Sequence, residues 1–146
     1  MKKYIFFLLL FNYLMVFCGC SSIKNELIPT YNKGGYKVNI IKHKINSDEV
    51  IIKGKVFDVE TGFPINGAIL TLGCIKVQTS PQGEYFFKTE NPIYDYYFIE
   101  VISVGYKTVL TNYLDLTDKN ERKIDFYLIQ DDRPLIDCPP DVKFKN

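Results

Sequence analysis

Between Val50 and Ile129 apolar and polar residues alternate in short runs, and Gly, Pro, Asn or Asp breaks the alternation about every ten residues. Side chains two apart share a face of a strand, so each run is a strip with one buried side. Its period is wrong for an amphipathic helix and its length too short. Val50–Val59 puts Ile52, Gly54 and Val56 on one face and Lys53 and Lys55 on the other. Glu84–Lys88 points Tyr85 and Phe87 one way and Phe86 and Lys88 the other, and Lys123–Ile129 turns Ile124, Phe126 and Leu128 inward. Further strands are predicted at Ala68–Leu72, Ile75–Thr79, Tyr96–Ser103 (Tyr97, Ile99 and Val101 inward) and Lys107–Thr111, the last with an extension to Leu116 as an option. Glu60–Pro64, Gly73-Cys74, Ser80–Gly83, Asn91-Pro92, Gly105-Tyr106 and Asp118–Glu121 supply the turns. The expectation is an all-β, seven-stranded β-sandwich spanning 47–131, followed by a tail, 132–146, whose Pro134, Pro139 and Pro140 suit no central strand. With 11 Phe, 11 Tyr and no Trp, the composition agrees, because aromatic side chains favour a pleated, half-buried surface.

Charge excludes one class of partner. The chain holds 18 Lys and Arg against 17 Asp and Glu, with no basic run, so no electrostatic footprint for nucleic acid is present. Catalytic chemistry has little to draw on. His43 is the sole histidine and lies outside the predicted core, leaving neither a His-based zinc site nor a Ser-His-Asp triad. Asp131, Asp132, Asp137 and Asp141 lack the spacing and turn glycine of a calcium loop and read as a solvated acidic tail. No catalytic residue, metal or cofactor is expected.

The N-terminus carries an address. Lys2-Lys3 precedes an uncharged apolar run from Tyr4 to Phe17, which is 14 residues long and therefore short of the roughly 20 that a spanning helix needs. Phe17-Cys18-Gly19-Cys20-Ser21-Ser22 resembles a bacterial lipoprotein processing site, in which a small residue precedes the cysteine that is acylated and becomes the new N-terminus. Cys20 follows Gly19 and fits; Cys18 follows bulky Phe17 and does not. On this reading 1–19 is a lipoprotein signal peptide and 20–46 a lipidated tether, with an extra strand at 36–45 as an option. A single acyl chain binds a bilayer only marginally, so the several chains such a cysteine carries are what make the anchor stable. The expected location is the cell envelope, at the outer membrane.

The pattern Gly54-x-Val56-x-Asp58-x-x-Thr61-Gly62-x-Pro64-x-x-Gly67-Ala68, then Thr79-x-x-Gln82-Gly83-x-Tyr85-x-Phe87, then Gly105-Tyr106, resembles the carboxypeptidase regulatory-like domain, the transthyretin-like sandwich of exported Bacteroidetes proteins. The resemblance covers about residues 50–130, with Gln82 standing where that family usually has Asp or Asn. It implies an Ig-like or prealbumin-like seven-stranded accessory module without catalytic residues. Its glycines would serve turns, and Asp58 would bond backbone in the loop that follows it.

Two surface readings remain. Cys74 and Cys138 are the cysteines left to the folded part, available for a disulfide outside the cytoplasm or else unpaired. Period 2 puts Tyr94, Tyr96 and Phe98 on the reverse of the strand that buries Tyr97, Ile99 and Val101, where they either contact a sugar, peptide or protein partner or are covered by 36–45 or the tail. The functional expectation is a non-catalytic envelope module for adhesion, scaffolding or complex assembly with an envelope protein partner; the alternative is a glycan- or peptide-binding lipoprotein beside a surface uptake system.

Overall fold

The alternation read along the chain becomes two facing sheets. The computed structural model describes residues 26–31, 33–41, 49–90, 94–117 and 120–133. These residues form β1 (Ile28–Tyr31), β2 (Gly34–Ile41), β3 (Glu49–Asp58), β4 (Ile69–Leu72), β5 (Ile75–Gln78), β6 (Glu84–Glu90), β7 (Tyr96–Tyr97), β8 (Ile99–Ile102), β9 (Val109–Leu110), β10 (Leu114–Asp115) and β11 (Glu121–Leu128). The larger sheet has the order β1-β2-β11-β3-β6, the smaller one β5-β4-β8-β9, and β7 pairs with β10 in a two-stranded ribbon. Among the described residues no helix is long and apolar enough to cross a membrane.

Inward parity fills the space between the sheets. The larger sheet contributes Tyr36, Val50, Ile52, Val56, Tyr85, Phe87, Ile124, Phe126 and Leu128, and the smaller one Leu70, Leu72, Ile99, Val101 and Val109. Tyr85 lies at the centre of an aromatic cluster, its ring 5.7 Å from Phe87 and 5.9 Å from Phe126, while Tyr36 meets Phe126 at 6.1 Å. Tilted and edge-to-face pairs of this kind add to the burial of their area.

The all-β sandwich is as expected, but its strand count and edges differ from the sequence reading. Among the described residues the sheet begins at Ile28, not near 47: residues assigned to the tether form β1 and β2, and β2 takes up the optional strand from Gly34 to Ile41, with 42–45 outside the described residues. Gly35 explains the change, since a Cβ there would stand 2.1 Å from the Ile28 carbonyl oxygen; the glycine admits a close approach of strands rather than loosening a tether. The strand predicted at Tyr96–Ser103 is cut at Phe98. Tyr96 and Tyr97 pair with β10, whereas Ile99–Ile102 pair with β4 and β9. The strand predicted at Lys107–Thr111 shrinks to Val109–Leu110 because Tyr106 and Lys107 reach across to Gln130 and Ile129. Thr111 closes that short ladder with its side chain, its Oγ1 accepting the Ile99 N–H at 2.9 Å while its own N–H donates to the Ile99 carbonyl at 3.0 Å.

One irregularity sits at the middle of the larger sheet. The parallel β3–β11 ladder pairs Lys53 with Lys123 and resumes at Val56 with Phe126, leaving Gly54 and Lys55 out. In the gap, the Lys55 N–H donates to Asp125 Oδ1 at 3.0 Å, and the Ile124 carbonyl accepts the Tyr85 hydroxyl at 2.7 Å. Tyr85 is the cross-strand partner of Gly54, so its ring can reach over the bare glycine to that carbonyl. Burial first, and the Asp125 charge second, push the Tyr85 phenol well above its ordinary value, which holds it as a donor.

Candidate functional site

The most densely bonded buried polar group is Asp58, at the end of β3. Its Oδ1 accepts the N–H groups of Glu60 at 2.8 Å and Thr61 at 2.9 Å; its Oδ2 accepts the Tyr106 hydroxyl at 2.9 Å and Gln130 Nε2 at 3.3 Å. The backbone closes the same loop, with the Asp58 N–H donating to the Phe63 carbonyl and the Gly62 N–H to the Asp58 carbonyl, both at 2.9 Å. The Thr61 N–H contributes most to holding the carboxylate ionised; burial opposes it, and Tyr106, Glu60 and Gln130 add to it, so the pKa is lowered from 3.8 to about 2. A carboxylate whose lone pairs are so fully taken is a poor general base. It ties the loop after β3 to the Gly105-Tyr106 turn and the end of β11. The backbone role expected for Asp58 is present, and its bond to Tyr106 is an addition that the motif's spacing did not reveal.

Thr79 does similar work between the sheets. Its Oγ1 accepts the Ala68 N–H at 2.9 Å and donates to the Ile65 carbonyl at 2.7 Å. The turn with Gln82 forms without Asp or Asn, for Ser80 Oγ accepts the Gln82 and Glu84 N–H groups, each at 3.2 Å. Arg122 is buried on the inward side of β11 and donates from Nη1 to the Asn120 carbonyl at 2.9 Å, with the Asp115 carbonyl beside Nη2. The parity of Ile124, Phe126 and Leu128 places it there, a signal that the strand predicted to begin at Lys123 left unused.

Among the described residues the predicted aromatic face is uncovered, while 42–45 and most of the tail, the alternative cover, lie outside them. Tyr94, Tyr96 and Phe98 are 67%, 58% and 44% exposed. They do not form one row. Tyr94 lies edge-on to Tyr97, with centroids 6.1 Å apart at 62°, and Phe98 edge-on to Tyr113, 5.9 Å apart at 80°. Phe98 and Tyr113, with Leu110, Thr111 and Asn112, line a shallow cavity of about 380 Å³. Tyr113 was not picked out from the sequence because it belongs to no alternating run.

The two outer faces of the sandwich have different chemistry. On the larger sheet Lys53 meets Glu121 at 2.7 Å, Lys55 meets Glu84 at 2.9 Å, Lys88 meets Glu49 at 2.9 Å and Lys123 meets Asp125 at 3.1 Å. Exposed pairs of this kind add little to stability, but together they make a face suited to water. On the smaller sheet Ile69 stands opposite Ile102 and Leu110 opposite Glu100, all three aliphatics exposed. A second groove, of about 670 Å³, runs past Val77, Tyr85 and Phe86 beneath Lys53, Lys55 and Lys123.

Among the described residues no group of three or more His, Cys, Asp or Glu side chains is placed to hold a metal ion. Cys74 is exposed at the β4–β5 turn. Its suggested partner Cys138, together with Cys20 and His43, lies outside the described residues.

These features define an all-β sandwich protein whose larger sheet carries ion pairs on its outer face and whose smaller sheet exposes Ile69, Ile102 and Leu110 among Thr71, Lys76, Gln78 and Glu100. No family model and no curated protein matches the chain. Among solved structures it is similar to 3-chlorocatechol 1,2-dioxygenase from Rhodococcus opacus 1CP, with TM-score 0.46, 14% identity, and 58% of this chain and 61% of that one covered. It is similar to hydroxyquinol 1,2-dioxygenase from Pseudomonas putida DLL-E4, with TM-score 0.45, 10% identity, and 84% and 71% covered. A membrane-associated protein of unknown function from Bacteroides fragilis NCTC 9343 has TM-score 0.43, 20% identity, and 64% and 31% covered. The chain thus spans less than two thirds of the first and about a third of the last. None of these partial overlaps is close enough to transfer an activity, ligand or partner.

Proposed function

We propose that the protein is a non-catalytic, lipid-anchored component of the cell envelope, held at the outer membrane, whose β-sandwich of the carboxypeptidase regulatory-like kind acts as an adhesion, scaffolding or complex-assembly module. The observation that carries this reading is the contrast between the outer faces: a ladder of ion pairs on the larger sheet, exposed aliphatic and aromatic side chains on the smaller. Isolated exposed apolar residues are ordinary; what supports a contact surface here is that Ile69 and Ile102 stand opposite one another and Phe98 meets Tyr113, so the exposed apolar side chains gather on one side of the sandwich, between Lys76 and Glu100. Asp58, the group whose burial would otherwise suggest chemistry, is consumed in holding loops together.

The anchor comes from the sequence: the basic and apolar leader, Gly19, and Cys20 as the acylated residue. Metabolic labelling with a palmitate analogue tests it. The wild-type protein is expected to incorporate label and Cys20→Ala to incorporate none; label persisting on C20A contradicts the assignment.

A second reading, a glycan- or peptide-binding lipoprotein accessory to a surface uptake system, draws on the exposure of Tyr94, Tyr96 and Phe98. The edge-on setting of the Phe98 and Tyr113 rings favours an adaptable contact over a flat platform for stacking a sugar.

A further inference from the structure

We infer that the outer face of the smaller sheet, with Phe98, Leu110 and Tyr113 as its leading side chains, rests on the lipid surface to which the chain is anchored. This rests on the anchor reading above and adds the orientation of the domain.

The first argument is the place where the chain enters the fold. Ile28 pairs with Tyr36, and the Tyr36 hydroxyl accepts the Asn112 N–H at 2.9 Å. β1 and β2 both pack against β9, so the first strand runs along the edge that carries Leu110. From an acylated Cys20 to Ile28 the chain can span no more than roughly 28 Å even if fully extended. An anchor at Cys20 would thus enter the fold beside the edge that carries Leu110, Asn112 and Tyr113 and keep that entry point within this distance of the bilayer.

The second argument is chemical complementarity. Ile69, Ile102, Leu110, Phe98 and Tyr113 are exposed on this side, with exposures from 39% for Ile69 to 74% for Tyr113. Lys76 and Glu100 flank Thr71 in the same outward row. Aliphatic side chains with a phenol at the rim suit the boundary between acyl chains and head groups, where amphipathic rings concentrate. The opposite face pairs its lysines with carboxylates and is costly to dehydrate. With the apolar face down, that ladder stays in water.

The chain contains no Trp, so single tryptophans are clean probes of depth. Phe98→Trp and Tyr113→Trp report the apolar face; Phe86→Trp, on the larger sheet and 53% exposed, reports the charged one. The acylated proteins are reconstituted into phosphatidylethanolamine/phosphatidylglycerol vesicles with and without acyl-chain-brominated lipid, and intact mass establishes acylation of Cys20. F98W and Y113W are expected to emit further to the blue than F86W and to lose about half or more of their emission to bromine, with F86W changing little. Equal quenching of all three in acylated protein overturns the docking alone. Blue-shifted but unquenched F98W and Y113W also overturn it, by assigning the face to a second copy or another protein. An unmodified Cys20 overturns the anchor reading and the docking together.

Discussion

Replacing Gly54 by Ala is expected to cost about 3 to 5 kcal/mol, or to prevent folding, which is a large effect for one methyl group. A Cβ at this position would lie 1.8 Å from the Ile124 carbonyl oxygen and 2.6 Å from its carbon. Neither atom can swing aside as a flexible side chain would, because β11 is locked between β2 and β3 and the same carbonyl accepts the Tyr85 hydroxyl. Relief requires the central strands to part. Gly62→Ala is the control: it has positive φ, 72°, yet nothing lies within 4 Å of the added carbon, so its cost is limited to local strain of about 1 to 2 kcal/mol. Urea denaturation of the two variants should separate them clearly. Comparable losses would mean that backbone conformation, not the approach of Ile124, makes Gly54 necessary.

Asp58→Asn is expected to destabilise by about 2 to 4 kcal/mol and lower Tm by about 10 °C. The amide keeps the shape but turns a donating nitrogen toward one of two pairs of donors, Glu60 and Thr61 N–H or Tyr106 and Gln130. The wild type should show the same dependence through pH. The folded pKa is lowered from 3.8 to about 2, so the unfolded chain takes up the proton first. The contribution of Asp58 is complete above pH 3.8 and disappears as pH falls through about 2. Stability measured across that interval should drop more steeply in wild type than in D58N. Parallel curves would show that the carboxylate is not held as its bonds imply.

The parts of the fold that were legible in the sequence are those where local pattern and tertiary demand coincide. In β3, β6 and β11 the buried side chains follow period 2, and Tyr85, Phe87, Ile124, Phe126 and Leu128 lie where parity puts them. Ser80–Gly83 turns as its residues require, with the Gly83 N–H donating to the Ser80 carbonyl at 2.8 Å. The break at Phe98 was not legible, because alternation continues through it while the pairing partner changes from β10 to β4 and β9. Period reports which side a residue faces and is blind to which strand lies beside it. β1 was hidden for a related reason: Pro29 and Gly34-Gly35 have the composition of a linker, and only the approach of Ile28 to Gly35 makes them an edge of the sheet.

The candidate contact surface was half legible. Tyr94, Tyr96 and Phe98 are exposed, as parity placed them on the reverse of Tyr97, Ile99 and Val101. Ile69, Ile102 and Leu110 obey the same rule, yet in short strands an aliphatic residue on the outward parity looks like ordinary core until the partner sheet is known. Tyr113 joins them through its contact with Phe98, which no sequence spacing announces.

The central proposal, that a chain anchored through Cys20 presents one face of the sandwich to water and keeps the other covered, is tested most directly by hydroxyl-radical footprinting of the wild-type protein on membranes from its own cells, after intact mass has established acylation of Cys20. Phe98, Leu110 and Tyr113 should be oxidised several-fold less than after transfer to detergent-free solution by cleavage of the tether, whereas Phe63 and Phe86, 72% and 53% exposed on other surfaces, should react equally in both states. Oxidation of Phe98 and Tyr113 that is unchanged on the membrane, or protection that falls on Phe86 instead, would contradict the account.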